Sequence, residues 1–166
     1  MVSCPCSNAK LASGIAPLKE CLDTGVQLAL GTDGPASNNA LDMFREMYLA
    51  TVLQKLRNND AASIPASAML QAATVGSARA MGLHNCDILE EGKQADIIMI
   101  DLHAANLQPP HHIPESLVLS GDRMNIMLTM CAGKILYENG TYHIGTDPAE
   151  ILADTQKRIA RLTANA

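Results

Sequence analysis

The chain has 166 residues, a formal charge of −5 and no block of Lys or Arg, which excludes an electrostatic nucleic-acid footprint. Apolar residues make up 48% and aromatic residues 2%, with no Trp, so the core must be built from Leu, Ile, Val, Met and Ala, and a base-stacking platform is excluded. That length holds one domain or pieces of two, and falls short of the about 250 residues of a complete β/α barrel.

Met1-Val2-Ser3-Cys4-Pro5 lacks the basic start and apolar core of a secretory leader, and no run approaches the ~18 apolar residues of a membrane span. Cysteines stand at 4, 6, 21, 86 and 131, an odd number that suits free thiols in a reducing cytoplasm. Cys4-Pro5-Cys6 has no second Cys/His pair and reads as small half-buried thiols rather than a zinc site.

Met1 to Leu11 shows no helical period. Pro17 opens a short helix with Leu18, Cys21 and Leu22 on one face, and Gly25 ends it. Val26 to Leu30 is an apolar strand that runs into Gly31-Thr32-Asp33-Gly34. Asn39 is placed to cap a helix from Ala40 to about Leu56, with Leu41, Phe44, Tyr48 and Val52 as its buried stripe. Ser63-Ile64-Pro65 begins the next helix, and Thr74 reads as the cap of another that ends at Gly82. Beyond Leu83 the texture becomes β. A strand and turn are predicted at Ile88–Lys93 and a buried strand at Ala95–Asp101, with an extended Pro-rich connector at Pro109–Pro114. Hairpins are predicted about Ala132-Gly133 and Asn139-Gly140. Asp147-Pro148-Ala149-Glu150 starts a closing helix that carries Ile151, Leu152, Ile159 and Leu162.

Candidate chemistry gathers at Asp33, a carboxylate where strand becomes loop. In parallel α/β proteins catalytic groups collect at that end of a strand. Asp-Gly after a strand is equally ordinary turn chemistry, and both readings stand on local pattern. The five histidines, at 84, 103, 111, 112 and 143, form no HxH or HExxH pattern. His111 and His112, adjacent in an extended segment, point to opposite sides and chelate one ion poorly. There is no GxSxG elbow and no phosphate-binding GxxxxGK loop.

Four stretches together resemble the C-terminal portion of a metal-dependent amidohydrolase. The first is Cys4-Pro5-Cys6-Ser7-Asn8-Ala9-Lys10-Leu11-Ala12-Ser13-Gly14-Ile15-Ala16-Pro17. The second is Leu30-Gly31-Thr32-Asp33-Gly34-Pro35-Ala36-Ser37-Asn38-Asn39 with Leu41-Asp42-Met43-Phe44. The third is Ala73-Thr74-Val75-Gly76-Ser77-Ala78-Arg79-Ala80-Met81-Gly82-Leu83 with Glu91-Gly92-Lys93-Gln94-Ala95-Asp96, and the fourth is Gly133-Lys134-Ile135-Leu136-Tyr137-Glu138-Asn139-Gly140. The nearest subgroup is the 5-methylthioadenosine/S-adenosylhomocysteine deaminases, with triazine and guanine-type hydrolases beside it.

The resemblance implies an α/β fold. Residues 1–83 would be the end of a β/α (TIM) barrel, 84–146 part of a small composite β domain, and 147–166 a C-terminal helix. It implies hydrolysis of a non-peptide C–N bond, the deamination of an adenine-type nucleoside by metal-activated water. Asp33 would be the eighth-strand aspartate, both ligand to a divalent ion, zinc first, and acceptor of the proton of the attacking water. Ser7, Asn8, Gly34, Ser37 and Asn38 would line the substrate side. The family's HxH pair, its two further histidines and its acid-shuttling glutamate lie on earlier strands and have no counterpart in this sequence. Ser3 stands where the family tends to carry another His. The resemblance therefore implies a site completed by a missing N-terminal segment or a homo-oligomer, the alternative being a truncated, non-catalytic chain that self-associates or interacts with a partner. A purine nucleoside would be the small-molecule partner, with no nucleic acid and no membrane.

Overall fold

In a computed structural model the chain is described over residues 1–164. Positions 165 and 166 of the predicted closing helix lie outside the described residues. The chain divides into two units, Met1–Gln94 with Asp101–Asn125, and Ala95–Ile100 with the chain from Ile126 onward.

The first unit is organised on a short parallel pair. Strand β1 (Val2–Ser3) lies beside β2 (Ala29–Leu30), with Val2 opposite Ala29 and Ser3 opposite Leu30. Ala29 N donates to Met1 O at 2.8 Å and Gly31 N to Ser3 O at 2.9 Å, so the pairing runs on to the start of the Asp33 loop. Parallel strands need a crossover, and here it carries helices α1 (Pro5–Lys10) and α2 (Leu18–Asp23). Helix α1 falls where no helical period is legible. Pro5 occupies its first turn, where a fixed φ and a missing N–H are tolerated. The apolar run from Val26 narrows to two strand residues, and Val26 itself is exposed.

Helix α3 (Met43–Asn58) begins later than the sequence suggests. Its cap is Asp42, whose Oδ1 accepts from Phe44 N at 3.0 Å and Arg45 N at 3.4 Å. Asn39 accepts instead from Lys10 Nζ at 2.9 Å. The Asn38 amide is occupied on both sides, which keeps residues 38–41 out of the helix. The buried face also differs from the expected stripe. Phe44 is inside, but Leu41 and Tyr48 are exposed, and Glu46, Met47, Ala50, Thr51 and Gln54 are buried. The polar members of that face have internal partners. Gln54 Nε2 donates to Ala16 O at 2.7 Å and Gln54 Oε1 accepts from Lys19 N at 3.1 Å, which clamps the start of α2.

Helix α4 (Ala66–Gln71) runs without interruption into a π-helical turn (Ala72–Gly76) and α5 (Ser77–Ala80). Thr74 is therefore inside a helix rather than at a cap, with its hydroxyl donating back to Leu70 O at 2.8 Å. The wide turn brings the backbone onto β2. A Cβ at position 76 would lie 2.1 Å from Leu28 O, so only glycine permits the approach. Beside it Ser77 Oγ accepts from Leu30 N at 3.1 Å and shares its hydrogen between Leu30 O at 2.8 Å and Ala72 O at 2.7 Å. Helix α4 packs against α3 and against α6 (Ile113–Leu119), with Met69 and Val118 fully buried. The Pro-rich segment predicted as extended thus turns helical at its end, with Pro114 in the first turn.

The predicted strand at Ile88–Lys93 is a series of turns around an ion trio. Asp87, 8% exposed, accepts from Arg79 Nε at 2.8 Å and from Lys93 Nζ. Lys93 Nζ also donates to His84 O at 3.1 Å.

The second unit is a four-stranded antiparallel sheet in the order β3 (Ile97–Ile100), β4 (Ile126–Cys131), β5 (Lys134–Glu138), β6 (Thr141–Tyr142). Both predicted hairpins are present. Their central residues have positive φ, 50° and 77° at Ala132-Gly133 and 45° and 89° at Asn139-Gly140, as the favoured two-residue turn demands. Helix α7 (Pro148–Thr163) is capped by Asp147, whose carboxylate accepts from Ala149 N at 2.8 Å. Its apolar residues Ile151, Leu152, Ile159 and Leu162 are exposed. Among the described residues no helix is long and apolar enough to cross a membrane.

Two outcomes are expected. Ser77→Ala strips both polar groups of buried Leu30 of their partner and should cost about 1–3 kcal/mol. An unchanged urea midpoint would reject this. The second concerns acid. Lys93 and Arg79 hold the Asp87 carboxyl at about 2, against an ordinary 3.8. A carboxyl depressed on folding stabilises above its unfolded pKa and ceases to do so as pH falls through its folded value. Stability should therefore decline between about pH 4 and pH 2, and Asp87→Asn should flatten that part of a pH series of thermal melts.

Candidate active site

Asp33 stands three residues beyond the end of β2, with φ of 59°. A left-handed backbone is uncommon outside glycine, though Asp is among the residues that tolerate it. It turns the chain sharply at the carboxyl end of the strand and leaves the side chain exposed. Both carboxylate oxygens are held. Ser7 Oγ donates to Oδ2 at 2.7 Å, and Gly34 N donates to Oδ1 at 2.7 Å. The Ser7 hydroxyl, then the Ser37 hydroxyl and the Gly34 N–H, draw the carboxyl below its ordinary 3.8. Asp33 is thus ionised at neutral pH, oriented by neighbours from two segments, and open to solvent.

The other predicted site residues fall around it in different ways. Ser7 is buried in α1 and reaches Asp33 directly. Asn8, next in the same helix, is half-buried, with its backbone N–H donating to Cys4 O at 2.9 Å. Gly34 supplies its N–H to Asp33, and its carbonyl accepts from Ser37 N at 3.1 Å and Asn38 N at 2.9 Å. A Cβ at position 34 would meet nothing within 4 Å, so Gly34 acts through its backbone. Asn38 is buried and turned inward. Its Nδ2 donates to Thr32 O at 2.8 Å and to Glu46 Oε1 at 2.6 Å.

Three further residues belong to this region and were not singled out from the sequence. Lys10 Nζ donates to Ala36 O at 3.0 Å and to Asn39, which ties α1 to the outside of the loop. The Cys4 thiol faces the backbone of Gly31 and Asp33, and burial followed by the Asp33 charge pushes it above its ordinary value. Glu46 lies beneath, 0% exposed. Its signal in the sequence was its place four residues before Ala50 and one before Met47, on the side of α3 that carries small and apolar residues.

As a cation ligand this arrangement offers one well-held carboxylate. A catalytic zinc takes about three protein ligands with a position left open. Among the described residues no group of three or more His, Cys, Asp and Glu converges, and the five histidines are all exposed. The donor set fits one corner of such a site. A cavity of about 280 Å³ opens at the opposite end of β2, lined among others by Leu22, Val26, Leu28, Val75 and Arg79. No residue of the Asp33 loop lines it.

The sequence profile of the amidohydrolase family matches residues 1–136. A 5-methylthioadenosine/S-adenosylhomocysteine deaminase of Haloquadratum walsbyi is 45% identical over 157 residues, which is 94% of this chain and 35% of the relative. A 5'-deoxyadenosine deaminase of Methanosarcina mazei is 39% identical over 160 residues, 96% of this chain and 37% of that one. Among solved structures, an adenosine deaminase from Xanthomonas campestris with bound zinc superposes with a TM-score of 0.93 at 40% identity, covering 98% of this chain and 37% of that one. Atrazine chlorohydrolase from Arthrobacter aurescens, complexed with zinc, gives 0.86 at 27% identity, covering 94% and 35%. The chain thus spans a little over a third of the length of the relatives it matches.

The geometry about Asp33 has a direct check. Ser7→Ala removes the principal hydrogen bond that holds the carboxyl down. The Asp33 pKa, followed by carboxyl carbon-13 NMR, should rise toward 3.8. An unmoved value would show that Ser7 does not hold it.

Proposed function

The chain belongs to the amidohydrolase family, and from that premise we propose that it carries the aspartate corner of a hydrolytic deaminase acting on adenine-type nucleosides. The observation that carries the proposal is Asp33 itself. It is ionised, exposed and fixed on both oxygens at the carboxyl end of a strand in a parallel pair. On this reading residues 1–83 belong to the end of a β/α barrel, 84–146 include part of a small β domain, and the described residues from 147 onward are a terminal helix.

The substrate class rests on relatives named as deaminases of 5-methylthioadenosine, S-adenosylhomocysteine and 5'-deoxyadenosine. The reaction replaces an aromatic amino group by the oxygen of water and releases ammonia. A carboxylate drawn below its ordinary pKa is a weak base, so it needs a water that is already acidified; a divalent ion, zinc by the family's example, supplies that acidification when bound. Asp33 would be one of the residues that hold the ion. Its remaining lone pairs accept the proton of the attacking water and return it to the departing nitrogen. Ser7 and Gly34 keep the carboxylate aimed while that proton comes and goes. Ser37 lies on the loop beside it and Asn8 next to Ser7 in α1, where they would flank a substrate, whereas Asn38, buried and turned inward, would act by holding the loop from beneath.

Asp33→Asn tests the assignment. The variant keeps the shape and loses the base and the anionic ligand. In a chain complemented with the N-terminal two thirds of a related deaminase, turnover of 5'-deoxyadenosine should vanish and zinc bound per chain should fall, with the thermal midpoint unchanged. Turnover equal to that of the parent would reject the role given to Asp33.

A further inference from the structure

Helix α1 begins without a local cap. No side chain at its N-cap residue, Cys4, accepts a hydrogen bond from the first turn. The first N–H groups of a helix need an acceptor, and that of Cys6 finds one 40 residues away. It donates to Glu46 Oε2 at 3.0 Å. The other oxygen, Oε1, accepts from Asn38 Nδ2 at 2.6 Å. The Cys6 thiol also donates to this carboxylate; burial first, and this bond second, push the thiol up to about 12. Glu46 is 0% exposed and lies in the first turn of α3, whose dipole favours a negative charge there.

Glu46 therefore joins two segments that both end on Asp33. Cys6 adjoins Ser7, which donates to Asp33 Oδ2. Asn38 closes the Asp33 loop from below through Thr32 O. We infer that Glu46 is a positioning residue: its buried carboxylate caps α1 and anchors Asn38, and so sets Ser7 and the Asp33 loop in register with each other. Any consequence for turnover rests on the role proposed for Asp33, whereas the positioning itself does not.

A carboxylate is required because every arriving group is a donor. Glutamine keeps the shape but offers a single acceptor oxygen, and its NH₂ then faces either Cys6 N–H or the Asn38 amide. One buried donor is left unpaired, and the tie between α1 and the loop is lost on that side.

Amide hydrogen exchange on the full chain separates this from a merely structural role. In Glu46→Gln, protection at Cys6, Gly34 and Asn38 should fall by about tenfold or more, as loss of a buried charge-assisted bond implies. Protection in α4 and in the π-helical turn should stay within about twofold, because local openings there leave the Glu46 bonds unbroken in both the open and the closed form. An equal fall at every amide would mean that Glu46 only stabilises the fold, and no fall would mean that it does nothing; either overturns the inference. Should Glu46→Gln not fold, Asn38→Ala removes one arm alone. Gly34 and Ser37 should then lose protection while Cys6, still bound to Glu46, retains it. Loss at Cys6 as well, or at neither, would overturn the inference. The Asp33 reading is tested separately. A fully active Asp33→Asn enzyme would sink that reading and leave the exchange pattern of Glu46→Gln to stand.

Discussion

A carboxylate withdrawn from water must be given hydrogen-bond donors, or the fold that buries it is penalised by several kcal/mol. Glu46 receives the Cys6 N–H, the Asn38 amide and the Cys6 thiol. The two Cys6 groups come from α1, 40 residues away, and the Asn38 amide from the loop eight residues before, so none belongs to α3 itself. Meeting that demand fixes where α1 starts, how residues 32–38 close, and why α3 cannot begin at Ala40. The geometry at Asp33 follows from it, since Ser7 and the loop meet the carboxylate only when both segments are already in place.

The same unit shows how a short parallel pair is made to hold. With two residues in each strand, β1 and β2 supply few mutual bonds. The outer side of β2 is served by a helix instead, through the Ser77 hydroxyl and the close approach at Gly76. That approach depends on the π-helical turn, in which one wider turn swings Ser77 onto the strand. Function and fold thus share β2. One end carries Asp33, and its backbone is held by a helix with no group in the candidate site.

What could be read from the residues alone divides along physical lines. The Asp33 loop was legible because strand, glycine and carboxylate occur together, and both hairpins because Gly133 and Asn139-Gly140 are residues that accept positive φ between apolar runs, Ala132 being carried into it without such a preference. Helix α1 was not, because six residues give no period and its cap comes from α3. The start of α3 was misplaced because Asn39 is as good a cap as Asp42 in isolation, and only the inward turn of Asn38 decides between them. The buried stripe of α3 was misjudged for a related reason. Glu46, Thr51 and Gln54 are polar, and their burial is made tolerable by partners: distant ones for Glu46 and Gln54, and the Met47 carbonyl one turn back for Thr51. The turns at 84–94 looked like a strand because an apolar pair, Ile88-Leu89, is flanked by charges, whereas the buried charge of Asp87 sets the path there.

The thiols near the site have a consequence of their own. Nucleophilic attack, oxidation and capture of soft metals all require the thiolate. With its thiol at about 12, Cys6 is in that form for roughly one molecule in 10⁵ at neutral pH. Cys4, beside Asp33, is raised as well, first by burial and then by the carboxylate's own charge. The Asp33 charge thus adds to burial in favouring the protonated thiol of Cys4. The thiolate form that would make Cys4 a soft cation ligand or a peroxide target is opposed first by its burial and then by the carboxylate it adjoins.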